Sequence, residues 1–211
     1  MKFRMIEESY RFDCTTCGNC CTGDMKINLN LFDLYKMARF KKFSDTGELF
    51  RQNLVTLVKG QYNVWMPRIR FKTKPEVFCP FLINELDEHG GIKGLCSMHP
   101  HHKPLICSLA PAGRIIDFDH GHINYVYVKP APDCEGVNSG KLNYLSDIEK
   151  EYKVELEYQY RFYKILENIK SHAISRETMM NELYAFRVDS DFEDILAERE
   201  ERLLVEDLNL I

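Results

Sequence analysis

Four thiols fall within eight residues in Cys14-Thr-Thr-Cys17-Gly-Asn-Cys20-Cys21. Thiols so crowded repel as thiolates and oxidise readily, so something must hold them; a soft metal or an iron–sulfur cluster does so by turning each thiolate into a ligand. A Cys-x-x-Cys turn sets two sulfurs on one side of a tight loop, close enough to chelate one metal or to occupy one edge of a cluster. Gly18 supplies the unusual backbone angle and leaves amides free to bond sulfur. Cys20 repeats the interval, so Cys14, Cys17 and Cys20 form a ferredoxin-like three-ligand loop. In an extended segment Cys21 points to the opposite face, which assigns it to a second site or to none. Cys79, Cys96, Cys107 and Cys134 complete the candidate ligands, and residues 135–211 contain no cysteine. A tetrahedral zinc or a four-iron cluster takes about four ligands, so eight thiols allow two sites, or one with spare cysteines. A buried Cys79 also reads as a small hydrophobe. His99, His101 and His102, between Cys96 and Cys107, are potential nitrogen ligands or a polar loop.

The segments that position these residues read as α+β. Asn28 or Asn30 caps a helix with an apolar face of Leu31, Leu34, Tyr35 and Ala38, and residues 48–58 predict a second short helix stopped by Gly60. Short strands are expected at Tyr62–Trp65 and Ile69–Phe71 around Pro67, and another at Glu76–Ile83. His89-Gly90-Gly91 turns between Leu86 and Ile92, and a second hairpin joins Arg114–Phe118 to Ile123–Val128. After Ser146 the period becomes helical. Capping boxes at Ser146–Glu149 and Ser190–Glu193, with a cap at Ser175, predict about three helices. The division is then a cysteine-cluster metal-binding domain over 1–145 and a helical extension over 146–211, packed on that domain or on a partner.

The chain has 211 residues, 45% of them hydrophobic, enough for one good core. No stretch approaches the roughly 18 apolar residues of a membrane span. MKFRMIEESYRF breaks its apolar run with Glu7, Glu8 and Arg11, so no secretory signal is expected and the cytoplasm is the expected compartment. There, clustered thiols favour metal over disulfides. The net charge of −4 is unevenly spread: residues 146–211 carry nine Lys and Arg against 17 Asp and Glu. This acidic helical segment reads as a solvated face or as a surface for a basic protein partner. No nucleic-acid motif stands out, and the pI is about 6.0.

The order Cys14-x-x-Cys17-Gly-x-Cys20-Cys21, then Cys79-Pro-Phe-Leu82, Cys96, Pro104-x-x-Cys107 and Cys134-Glu-Gly136, resembles the YkgJ-type cysteine-cluster family. That family is described as zinc- or iron-chelating and includes the cysteine region of flagellin lysine N-methylases. The resemblance implies that all eight cysteines are candidate metal ligands, and it spans about residues 12–136. Where the family has Arg-Pro, this chain has Lys103-Pro104, and Ser108 follows Cys107 in place of an arginine, so Lys103 is the candidate substitute cation. The methylase branch implies an S-adenosylmethionine-dependent protein N-methylase as one alternative. No Gly-x-Gly-x-x-Gly loop follows a strand, and the cysteine spacing differs from the Cys-x-x-x-Cys-x-x-Cys of radical enzymes.

Crowded first ligands with the remainder scattered over more than a hundred residues suit a cluster enclosed by several loops. The sequence thus predicts one or two iron–sulfur clusters of the 4Fe-4S type, serving electron transfer or modification of a protein partner. The alternative is structural zinc in a protein-interaction module. Cys107 beside the histidines is the one candidate nucleophile, and it reads as a ligand first.

Overall fold

In a computed structural model, residues 4–22, 25–60, 64–74, 76–86 and 88–204 are described. In chain order the elements are β1 (Arg4–Ile6), β2 (Ser9–Phe12), a 3-10 turn (Asn19–Cys21), α1 (Leu31–Phe40), α2 (Gly47–Arg51), β3 (Val55–Lys59) and β4 (Trp65–Ile69). There follow β5 (Leu82–Leu86), β6 (Ile92–Cys96), α3 (Leu105–Leu109), β7 (Ala112–Asp117), β8 (His122–Tyr127) and β9 (Val137–Tyr144). The last are α4 (Leu145–Glu151), α5 (Lys153–Ile169), α6 (Arg176–Met179), a π-helical turn (Met180–Tyr184) and α7 (Phe192–Leu203). The protein is α+β, with every strand pairing antiparallel in small sheets.

These elements form two compact units, each discontinuous in sequence: residues 1–26 with 71–153, and residues 27–70 with 154–211. All eight cysteines lie in the first. Its three-stranded sheet runs β1-β8-β7, β2 pairs with β9, and β5 with β6 is a hairpin. Ile6, Phe81, Met98, Leu105, Leu109 and Val126 are buried in it. The hairpins around Gly90 and Gly121 form where the sequence places them, because both glycines take positive φ in the turns.

In the second unit Asn30 and Asp33 cap α1 reciprocally: the Asp33 amide donates to Asn30 Oδ1 at 2.8 Å and the Asn30 amide to Asp33 Oδ2 at 2.9 Å. Such a box stabilises a helix start by about 1 kcal/mol. The buried face of α1 includes Leu31, Leu34, Met37 and Ala38. Aromatic residues of the C-terminal helices pack within this unit: Tyr158 and Phe192 lie tilted against Phe32, with ring centroids 5.0 and 4.8 Å away. Ser175 caps α6 by accepting from the Thr178 amide.

Several expectations need correction. The helix expected over 48–58 stops at Arg51, because Asn53 turns to φ 56° and the β-branched Val55, Thr56 and Val58 pair with β4. Pro67 lies inside β4, tolerated in a two-stranded ladder; Tyr62 and Asn63 of the neighbouring strand prediction lie outside the described residues. Of the strand expected at 76–83, only its end belongs to β5; Cys79 to Phe81 turn into it, with the Leu82 amide bonded to the Cys79 carbonyl. The Ser146 box does not form, since β9 runs directly into α4 and Tyr144 takes the cap position without a side-chain bond. The cap of α7 is Asp191 rather than Ser190, accepting from the Glu193 amide at 2.8 Å. No helix of the described residues is long and apolar enough to cross a membrane.

Candidate metal centre

The knot folds around two left-handed residues. Thr16 (φ 54°) and Gly18 (φ 77°) reverse the chain, and the Cys21 amide then closes the 3-10 turn on the Gly18 carbonyl at 2.8 Å. This turn changes the expected relation of the adjacent cysteines. Residues 19–21 are not extended, so Cys20 and Cys21 do not face opposite ways, and their sulfurs lie 4.0 Å apart.

Two other segments grip the knot. On one side is the β5–β6 hairpin: Cys17 bridges Gly94 in parallel, and the Gly94 amide donates to the Thr16 carbonyl at 2.6 Å. The approach is so close that a Cβ on Gly94 would stand 2.3 Å from Gly18 Cα. β6 ends at Cys96, opposite Leu82. The chain entering β5 joins the same contact, because the Cys79 amide donates to the Cys21 carbonyl at 2.7 Å and Thr22 bridges Phe78.

On the other side is the loop carrying Cys134. The Asp13 amide donates to the Gly136 carbonyl at 3.2 Å, and a Cβ on Gly136 would strike Asp13 O at 2.1 Å. Asn19 Nδ2 donates to Asp133 Oδ2 at 3.2 Å. The pairing of β2 with β9 continues this clamp, with Asn143 Nδ2 donating to the Phe12 carbonyl at 2.7 Å.

Thiol electrostatics follow from this folding. Cys20 is pushed far above an ordinary thiol by its hydrogen bond to Cys21 and by burial, against a lowering contribution from the Lys103 cation. For Cys21 the hydrogen bond with Cys20 lowers the value. A hydrogen bond with Cys79, burial, and the charges of Cys79 and Cys96 outweigh it, and the group is pushed up to about 12. Burial raises Cys134, the amides of Gly136 and Val137 lower it by bonding to it, and the charges of Cys17 and Cys20 raise it again. Such shifts arise when thiols crowd, and they keep the groups protonated until a cation replaces the protons.

Six of the eight predicted residues are thus brought into mutual influence: Cys17, Cys20, Cys21, Cys79, Cys96 and Cys134. Cys14 is exposed, one residue beyond the Asp13–Gly136 bond. Cys107 is half-buried in α3, its amide bonded to the Pro104 carbonyl. His99 and His101 are exposed, and Cys79 is only 7% exposed. All eight cysteines are free, and no three His, Cys, Asp or Glu side chains among the described residues stand in a formed ion site. The donor set fits a thiophilic metal nonetheless: clustered thiols, amides directed at sulfur and a nearby cation. Sequence reasoning singled out Gly136 in the trailing Cys134-Glu-Gly136 element but missed Gly94 and the Asn19–Asp133 bond; the closeness of Gly94 to Cys96 in sequence was the available signal.

Residues 13–135 match the family described as the CxxCxxCC putative zinc- or iron-chelating domain. The match covers more than half of the chain, which therefore belongs to that family. No curated protein and no solved structure is similar enough to match.

Proposed function

We propose that the protein chelates a thiophilic metal ion, zinc or iron, through Cys20, Cys21, Cys79 and Cys96. The observation that carries this reading is the 4.0 Å separation of the Cys20 and Cys21 sulfurs. Two thiolates on one tetrahedral ion, each about 2.3 Å from it, stand about 3.8 Å apart. In a four-iron cluster each cysteine takes a different iron and the sulfurs stand farther apart, so the pair suits a single ion better than the 4Fe-4S type. Cys79 reaches the same pair through backbone and thiol, and Cys96 joins from the end of β6.

A bound ion supplies a crosslink among the knot, the Cys79 turn and β6, segments far apart in sequence. The residues themselves prepare it. The 3-10 turn orients two sulfurs, Gly94 lets the hairpin close on the knot, and Lys103 offsets part of the thiolate charge at Cys20.

A second reading, an iron–sulfur centre in electron transfer, is favoured by the Gly136 and Val137 amides bonded to Cys134, since hydrogen bonds to sulfur tune cluster potentials. Metal and acid-labile sulfide analysis of protein purified without oxygen separates the two. The expected result is stoichiometric zinc or iron without sulfide. Sulfide in proportion to iron gives the second reading, and a protein that retains neither metal contradicts both.

A further inference from the structure

A cleft of about 250 Å³ in the cysteine-bearing unit is lined by Arg4, Ser9, Tyr10, Arg11 and Leu142. Strand register explains the lining. Arg11 stands opposite Leu142 of β9, and Ser9, two residues earlier on β2, shares their face. Arg4 comes from β1, opposite Tyr127 of β8. Tyr127 ties the two arginines together. The Arg4 guanidinium lies over its ring, 5.4 Å from the centroid, and its hydroxyl donates to the Arg11 carbonyl at 3.4 Å.

Both guanidiniums are held in place and neither is neutralised. Arg11 Nη1 donates to the Gly140 carbonyl at 2.6 Å, and Arg4 rests on an aromatic face. Among the described residues neither arginine forms an ion pair, and the Ser9 hydroxyl makes no hydrogen bond. Glu7 and Glu8, in the connection from β1 to β2, pair with neither. In the other unit, by contrast, Arg51, Arg161, Arg187 and Arg202 all pair with carboxylates. Two fixed positive charges on one cleft repel each other, and a doubly charged anion relieves them. Guanidinium forks match the oxygens of a phosphate. The cleft is smaller than the roughly 300–1,000 Å³ of drug-sized ligand pockets, which leaves room for a phosphate with one small organic group rather than for a nucleotide. Tyr10 and Leu142 give that group an apolar wall.

We infer that this cleft binds a dianionic phosphate monoester, with Arg4 and Arg11 on the phosphate oxygens, Ser9 donating to one of them, and the ester group against Tyr10 and Leu142. No cysteine takes part, so the site stands or falls separately from the metal centre.

Isothermal titration calorimetry of the full chain at low ionic strength tests this, with phenyl phosphate as the probe. One equivalent should bind, and phenyl sulfate, which has a similar shape and one charge fewer, should bind at least tenfold more weakly. Arg4→Gln and Arg11→Gln should each weaken phenyl phosphate at least tenfold with metal content unchanged. The Arg4 side chain makes no hydrogen bond in the fold, so Arg4→Gln carries the test even if Arg11→Gln fails to fold. Leu142→Ser should weaken phenyl phosphate and leave inorganic phosphate unaffected. Arg187→Gln, which removes one surface charge from the other unit, should change nothing. Equal losses in Arg4→Gln and Arg187→Gln would assign the binding to diffuse charge and overturn the site, as would no heat with phenyl phosphate. Inorganic phosphate bound as tightly as phenyl phosphate overturns the ester.

Discussion

Cys79 is the residue for which packing and ligation make opposite predictions. At 7% exposure it could serve as a small apolar side chain, and Cys79→Val would then leave metal content unchanged. Its amide bond to Cys21 and its thiol bond to the same residue argue for ligation. We expect Cys79→Val to retain the fold by circular dichroism and to lose at least tenfold in zinc affinity, measured by competition with a chromophoric chelator. Metal uptake should also release protons, about one for each thiol that becomes a ligand, which a weakly buffered titration reads directly. Away from the centre, His120 Nδ1 lies 2.9 Å from Asp117 Oδ2. That carboxylate raises the imidazole, and the imidazole lowers the carboxyl. The pair's contribution is therefore fully present below the imidazole's unfolded value, while Asp117 is ionised, and is lost as pH rises through the raised one. In nuclear magnetic resonance titration His120 should titrate above an ordinary histidine, and Asp117→Asn should remove the elevation.

Among elements, the β5–β6 hairpin and the Cys134 loop do the positioning, and each depends on one glycine. A methyl group at residue 94 would stand 2.3 Å from Gly18 Cα, and backbone cannot yield as a side-chain tip can. Gly94→Ala should cost about 1–3 kcal/mol of stability in denaturant unfolding and weaken metal binding by separating β6, and Cys96 with it, from the knot. Unchanged metal affinity in that variant would show that the hairpin does not shape the centre. Much of this arrangement was legible in the sequence. The Asn30 cap, the turns at Gly90 and Gly121 and the Ser175 cap announce themselves by local chemistry. The 3-10 turn at Asn19–Cys21 did not, because it depends on Thr16 and Gly18 both taking positive φ. That missing turn is why the sequence set Cys20 and Cys21 on opposite faces. β9 was also hidden: Val137-Asn-Ser-Gly-Lys-Leu-Asn-Tyr144 has no clear alternation, and its pairing with β2 comes from the distant residues 9–12. The helix expected over 48–58 failed for the same reason, since pairing with β4 overrode an apolar pattern of helical period.

At the scale of the whole molecule, the cysteines occupy one compact unit, and the other is built from ordinary packing with a buried polar network. In that second unit Thr46 is fully buried; its hydroxyl donates to the Tyr184 carbonyl at 2.6 Å and accepts from the Phe186 amide at 2.9 Å. Thr46→Val removes both bonds and should cost about 1–3 kcal/mol by denaturant unfolding. Zinc per folded chain should stay unchanged, because no cysteine belongs to this unit. The acidic character of residues 146–211 is partly answered from within: Arg161 pairs with Glu193 and Glu200, Lys36 with Glu155, and Arg202 with Glu182. The central claim concerns the other unit, where the adjacent Cys20 and Cys21 share one ion. X-ray absorption of the zinc- or iron-loaded protein tests it most directly. The account predicts a first shell of sulfur alone at about 2.3 Å, with sulfur replaced in part by oxygen in Cys21→Ser. A shell of nitrogen and oxygen, or one left unaltered by Cys21→Ser, would contradict it.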